Sequence, residues 1–167
     1  MARPISAEKE REYAELSAFV DMYATHFLKI SPADPMHPTN VGRNMVAAIG
    51  KSKALVGLRQ AASDFVESLQ DFDHQQVEIL DAALKRAGIV TLTELRRRHS
   101  RKYRSILKRG SVRDEAEYYL VTAVLSDCSD SIDPEEIDRL NSILLDFEQS
   151  ANQSFKPTPS ARLNSRC

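Results

Sequence analysis

Apolar residues recur at intervals of three and four along most of the chain, the period of a helix with one face turned inward. Tyr13, Leu16, Phe19, Val20, Tyr23 and Phe27 mark the first such run. With Ser6 as N-cap and Glu8, Glu10 and Glu12 near the positive end of the helix dipole, the run predicts a helix over 6–29. Pro32, Pro35 and Pro38 interrupt the pattern, so 31–40 reads as a connecting loop. Asn40 can cap a short helix reaching about Ala48, which Gly50 closes. Leu55, Leu58, Ala62, Phe65, Val66 and Leu69 line a longer helix over 51–71.

Asp73 and Gln76 stand at capping-box spacing, and Val77, Leu80, Ala83, Leu84 and Ala87 carry the next apolar face as far as Gly88. Thr91 and Glu94 repeat that spacing and open a helix over 92–109, with Leu92, Leu95, His99, Tyr103 and Ile106 on one side and Gly110 at its end. Ser111 and Asp114 can cap a helix over 112–127. Its residues Tyr118, Tyr119, Leu120, Val121, Val124 and Leu125 leave no clear polar side. This segment is expected to be the most buried, with Tyr118, Val121, Val124 and Leu125 fully enclosed. A buried strand is the alternative there, because Tyr and Val also favour strands. Asp133-Pro134-Glu135-Glu136 combines an N-cap, a proline at the first helical position and acids in the first turn. Ile137, Leu140, Leu144 and Phe147 form the inward face of the helix it opens, over 134–149. Residues 150–167 lack periodicity and read as a flexible polar tail. The expectation is an all-α fold, a single domain over 1–149 of about six helices. More than half the residues should be helical, with a helix-turn-helix-like segment around 74–109.

Composition agrees with this pattern. The 167 residues are 42% apolar and 28% charged, with five glycines and no tryptophan, a balance that favours a helical globular domain. The two cysteines, Cys128 and Cys167, do not suggest a disulfide framework, and a reducing cytoplasm is the simplest compartment. Met1 to Ser6 leads into charged residues without an apolar stretch, so no signal peptide is expected. The longest near-apolar run, Tyr118 to Leu125, is too short to cross a bilayer, and no membrane association is expected.

Charge changes the picture more than composition does. The net charge is only −1, yet Lys85 to Arg113 holds eleven Lys/Arg against the single acid Glu94, and Asp114 to Glu148 holds eleven acids against the single base Arg139. Such an asymmetry describes either a surface for an acidic partner or two halves that neutralise each other. On an unbroken helix over 92–109, Arg97, Arg101, Arg104 and Lys108 would form a continuous stripe opposite the apolar face. Guanidinium groups in a row fork onto phosphates or carboxylates, which makes these four the candidate binding residues.

Catalytic and metal-binding patterns are not found. His26, His37, His74 and His99 make no short-spaced pair with each other or with a cysteine, and no CxxC or HExxH occurs. His99 lies on the apolar side of its helix and reads as a packing residue. Asp71 and Asp73 sit at a helix junction and read as caps. Asp127, Asp130 and Asp133 lack the glycine and terminal glutamate of a calcium loop. No catalytic residue, metal ligand or cofactor is therefore expected.

Two stretches resemble known families. Leu84 to Leu95, LKRAGIVTLTEL, locally resembles the first part of the carboxyl-terminal domain of RNA polymerase alpha, although the glycine pair of a helix-hairpin-helix does not follow, since Gly110 stands alone. That likeness and the helix–turn–helix layout imply nucleic-acid contact through the basic helix. The stretch from Arg109 through Val121 is similar to small bacterial helical proteins, some of toxin-immunity type. This second resemblance implies a protein that works by covering a partner's surface and needs no catalytic residue. The leading expectation is a non-enzymatic module, of immunity or regulatory kind, that binds a protein partner through a charged face. The alternative is a nucleic-acid-binding protein using 92–109.

Overall fold

The computed structural model describes residues 5–154, with side chains as far as Asn152. They form eight α-helices and no strand, and helix accounts for 78%. The helices are α1 (Ala7–His26), α2 (Pro38–Ile49), α3 (Lys51–Ser68), α4 (His74–Arg86), α5 (Leu92–His99), α6 (Arg101–Arg109), α7 (Glu115–Cys128) and α8 (Pro134–Ser154). A single 3-10 turn over Ser129–Ser131 joins the last two.

Most starts are set by the capping residues that the sequence displays. Ser6, Thr91 and Asp114 each accept from the backbone N–H three residues on, and Asp73 and Gln76 complete a reciprocal capping box. Thr91 and Glu94 do not. Thr91 accepts from the Glu94 N–H at 3.1 Å, but the Glu94 carboxylate turns to Arg97 and Arg98 instead of reaching back. Gly88 and Gly110 adopt the left-handed conformation just past α4 and α6, with φ of 69° and 72°.

The count of about six helices is corrected to eight among the described residues. One division, at Gly50 between α2 and α3, was expected. The other was not: the helix expected over 92–109 breaks at Ser100. That residue is extended (φ −67°, ψ 130°), and its hydroxyl accepts from the Tyr103 N–H at 3.3 Å, capping α6. Glu67, at the end of α3, accepts from the Arg101 N–H at 3.0 Å. The two acceptors satisfy donors that the break leaves free. The short second helix also starts earlier than expected. His37, not Asn40, caps α2, because Pro38 is suited to a first helical position. The His37 ring is buried; its Nδ1 accepts from the Thr39 N–H at 3.3 Å, and its Nε2 lies 3.2 Å from the Thr25 hydroxyl. Asn40 instead donates from its amide to the carbonyls of Pro32 and Asp34, holding the proline loop closed.

Two apolar clusters form the interior. One joins Leu16, Phe19, Val20 and Tyr23 of α1 to residues of α3, α4 and α5; the other joins Tyr103 and Ile106 of α6 to α7 and α8. Between them lies α5, packed on α3 and α4 on one side and on α7 on the other. The segment over 115–128 is a helix and not a strand. Val121 and Val124 are fully buried as expected, but Tyr118 and Leu125 are only partly so. Tyr118 lies toward the surface, where its hydroxyl donates to Glu148 at 2.7 Å. On α8, Ile143 is buried beside Leu140, whereas Ile137, Leu144 and Phe147 are half-exposed. That helix runs on to Ser154, five residues into the expected tail; residues 155–167, with Cys167, lie outside the described residues.

Candidate functional site

The basic block is divided by the break at Ser100, and its two parts differ. In α5 the charges of Arg97 and Arg98 are paired within the molecule. Arg97 donates to both oxygens of Glu94 at 2.8 Å, and Arg98 donates to Glu94 at 2.6 Å and to Glu15 of α1 at 3.0 Å. Burial alone would push the Glu94 carboxyl up, but hydrogen bonds from Arg97, the Cys128 thiol and Arg98 outweigh it and hold the group at about 2. The same contact with Glu94 raises Arg97. Burial, with the neighbouring Glu94, pushes the Cys128 thiol up to about 12, so it is protonated and unreactive at neutral pH. His99 is half-buried, and burial together with the Arg98 charge lowers its pKa.

Two ion pairs link the basic block to the acidic one. Lys85 meets Asp127 at 3.1 Å, and Arg109 pairs with Glu117, which is itself buried. Arg113 donates its backbone N–H to the same Glu117 carboxylate at 2.8 Å.

The second part of the block is different. On α6, Tyr103 and Ile106 point inward, and Arg101, Arg104 and Lys108 lie on the opposite, exposed side. Among the described residues none of these three makes an ion pair; the Arg104 guanidinium donates only to the His99 carbonyl at 3.2 Å. Of the four candidates on the expected stripe, three therefore share one face. Arg97 leaves it, because the turn at Ser100 gives α5 a separate axis and Glu94 holds the guanidinium.

Besides Glu117, the buried ionisable residues Asp81 and Arg96 escaped the sequence reading. Asp81 of α4 accepts from the N–H groups of Leu92 at 2.7 Å and Thr93 at 3.3 Å, so it caps α5 from a neighbouring helix. Burial pushes its carboxyl above the ordinary range, against these hydrogen bonds. Arg96 of α5 donates from Nη2 to the Leu69 carbonyl at 2.6 Å, at the negative end of α3. Burial lowers its pKa, and the Asp81 charge opposes that. A signal was present in the sequence: Asp81 follows Val77 by four residues and Arg96 follows Leu92 by four, so each lies on the apolar side of its helix. Among the described residues, no group of three or more His, Cys, Asp and Glu is placed to share a metal ion.

Among the described residues the molecule is thus an all-helical protein with an exposed basic face on α6 and an ionic network around Glu94 of α5. No helix of the described residues is long and apolar enough to cross a membrane. Compared with protein-family models, curated proteins and solved structures, the chain has no significant match in any of the three.

Proposed function

We propose that this protein is a non-catalytic interaction module, of immunity or regulatory kind, that binds an acidic surface of a protein partner through Arg101, Arg104 and Lys108. The observation that carries this reading is the contrast within the basic block. Lys85, Arg97, Arg98 and Arg109 are neutralised within the molecule, while the side chains of these three cations stand together, exposed and with no ion pair among the described residues. A fixed row of cations steers and orients an acidic partner without contributing to the fold. The likeness of 109–121 to immunity-type proteins points the same way.

Nucleic acid is the weaker reading. The row spans only about 10 Å of helix, room for few phosphates. In the helix–turn–helix layout the second helix would be α5, whose Leu92–Arg96 are buried. The test compares R101Q/R104Q/K108Q with the unchanged protein as baits in nuclease-treated and untreated native lysate. A partner that survives nuclease and is lost with the triple variant is expected. Equal retention by both baits would overturn the proposal, and a partner lost on nuclease treatment would favour nucleic acid.

A further inference from the structure

The helices α4 and α7 stand apart along one side of the molecule, and a cleft of about 560 Å³ lies between them. Two side-chain ties cross it. At one end His74 of α4 stacks on Tyr119 of α7, with ring centroids 4.2 Å apart; at the other, Lys85 of α4 meets Asp127 of α7 at 3.1 Å. Val77 and Leu120 provide apolar wall, and Arg96 and Asp81 lie deep inside. The volume falls in the range of small-molecule sites, as does the combination of apolar walls with a few deep polar groups.

Arg96 shows what the cleft would hold. The residue is only 9% exposed, and one of its nitrogens, Nη2, is bonded to Leu69. Nε and Nη1 have no partner among the described residues, yet no fully enclosed side-chain polar atom lacks one. Both nitrogens therefore keep some contact with solvent, and Arg96 is one of the residues that line the cleft. A guanidinium so largely buried, with two donors still reached by solvent, offers a fork to an anionic acceptor, because charge-assisted hydrogen bonds are stronger than those to water. Asp81 does not fill that role. It is turned to the α5 N-terminus and makes no ion pair with Arg96.

We propose that this cleft binds a small amphiphilic monocarboxylate, its carboxylate on Arg96 and its apolar body between α4 and α7. A single negative charge seated on Arg96 fits better than a phosphate dianion, since Glu67, Asp73, Glu78, Asp81, Glu115 and Asp127 line the cleft against Lys85, Arg96 and Lys102 and oppose any further negative charge. The site is separate from the outer row of α6 and does not depend on the partner-binding reading.

The probe is naphthalene-2-carboxylate, titrated calorimetrically into the full chain beside its neutral analogue 2-naphthalenemethanol and inorganic phosphate. Saturable binding of the carboxylate is expected, at least about tenfold tighter than the alcohol, the ratio that one charge-assisted hydrogen bond supports. Arg96→Gln should abolish that preference. Because Arg96 also ties α5 to α3, a second variant leaves every hydrogen bond in place: Ala123→Phe, on the α7 wall, should block binding while the melting temperature is retained. R101Q/R104Q/K108Q should bind the probe normally. Absence of saturable binding, equal affinity for acid and alcohol, phosphate binding as tight as the carboxylate, or undiminished binding in Ala123→Phe would each overturn the proposal.

Discussion

Glu94 is the residue on which most of the ionic interior converges. It receives Arg97, Arg98 and the Cys128 thiol, and its folded value of about 2 lies below the ordinary 4.5. A carboxyl depressed by folding contributes stability that is fully present above its unfolded value and is lost as pH falls through the folded one. Stability should therefore decline between about pH 4.5 and pH 2. Glu94→Gln, which strands two guanidinium groups, should cost about 1–3 kcal/mol at neutral pH and flatten that decline. Urea titrations of both proteins at pH 6 and pH 3 check this, and parallel declines would assign the acid sensitivity to other carboxylates. Burial ranks the apolar residues in the same way. Leu140 is fully enclosed, so Leu140→Ala should cost about 2–5 kcal/mol, whereas half-exposed Leu125 should lose clearly less on the same substitution. Equal losses in denaturant would show that the second cluster is packed differently.

Among the elements, the α5–α6 junction decides most about the surface. A serine inside a helical pattern is only mildly unfavourable, so an unbroken helix was a fair expectation. The break is stabilised by the Ser100 hydroxyl and by Glu67, the latter coming from a helix more than thirty residues earlier. Ser100→Ala should therefore cost about 0.5–2 kcal/mol in thermal or urea unfolding, and Ser100→Asp, which keeps a capping acceptor, should retain most of the stability. If the alanine variant were as stable as the parent, the fold around the junction, and not the cap, would be setting the turn. The α4–α5 turn has a similar long-range support in Asp81, which holds the first N–H groups of α5 from the side.

At the scale of the whole molecule, opposite charges are partly folded against each other and partly left outside. Arg97 and Arg109 are held by Glu94 and Glu117, whereas the outer row of α6 makes no ion pair among the described residues, and Arg104 donates only to the His99 carbonyl at the end of α5. Exposed cations of that kind contribute little to folding. R101Q/R104Q/K108Q should consequently change stability by less than about 0.5 kcal/mol per site, while Arg97→Gln alone should cost about 1–3 kcal/mol. Melting curves of the two variants separate the cases, and a marked loss in the triple variant would mean that the row serves the fold after all.

The helical class, the positions of most caps and the greater part of the core were legible in the sequence, because they depend on local spacing. Asp73 with Gln76, Gly88 and Gly110 act within a few residues of themselves, and Leu16, Phe19 and Val20 follow the helical period. Which cations are free was not legible. A side chain's ion-pair partner is chosen in three dimensions, and Arg98 meets Glu15 only after α1 and α5 have packed. The same holds for the cleft: Asp81 and Arg96 each sit on an apolar helix face, but their shared enclosure exists only once α3, α4, α5 and α7 surround them. Local chain chemistry thus determined most of the elements and most of their ends. Tertiary packing decided where the basic stripe breaks and which of its charges remain outside, because burial and ion pairing are properties of neighbours that are distant in sequence.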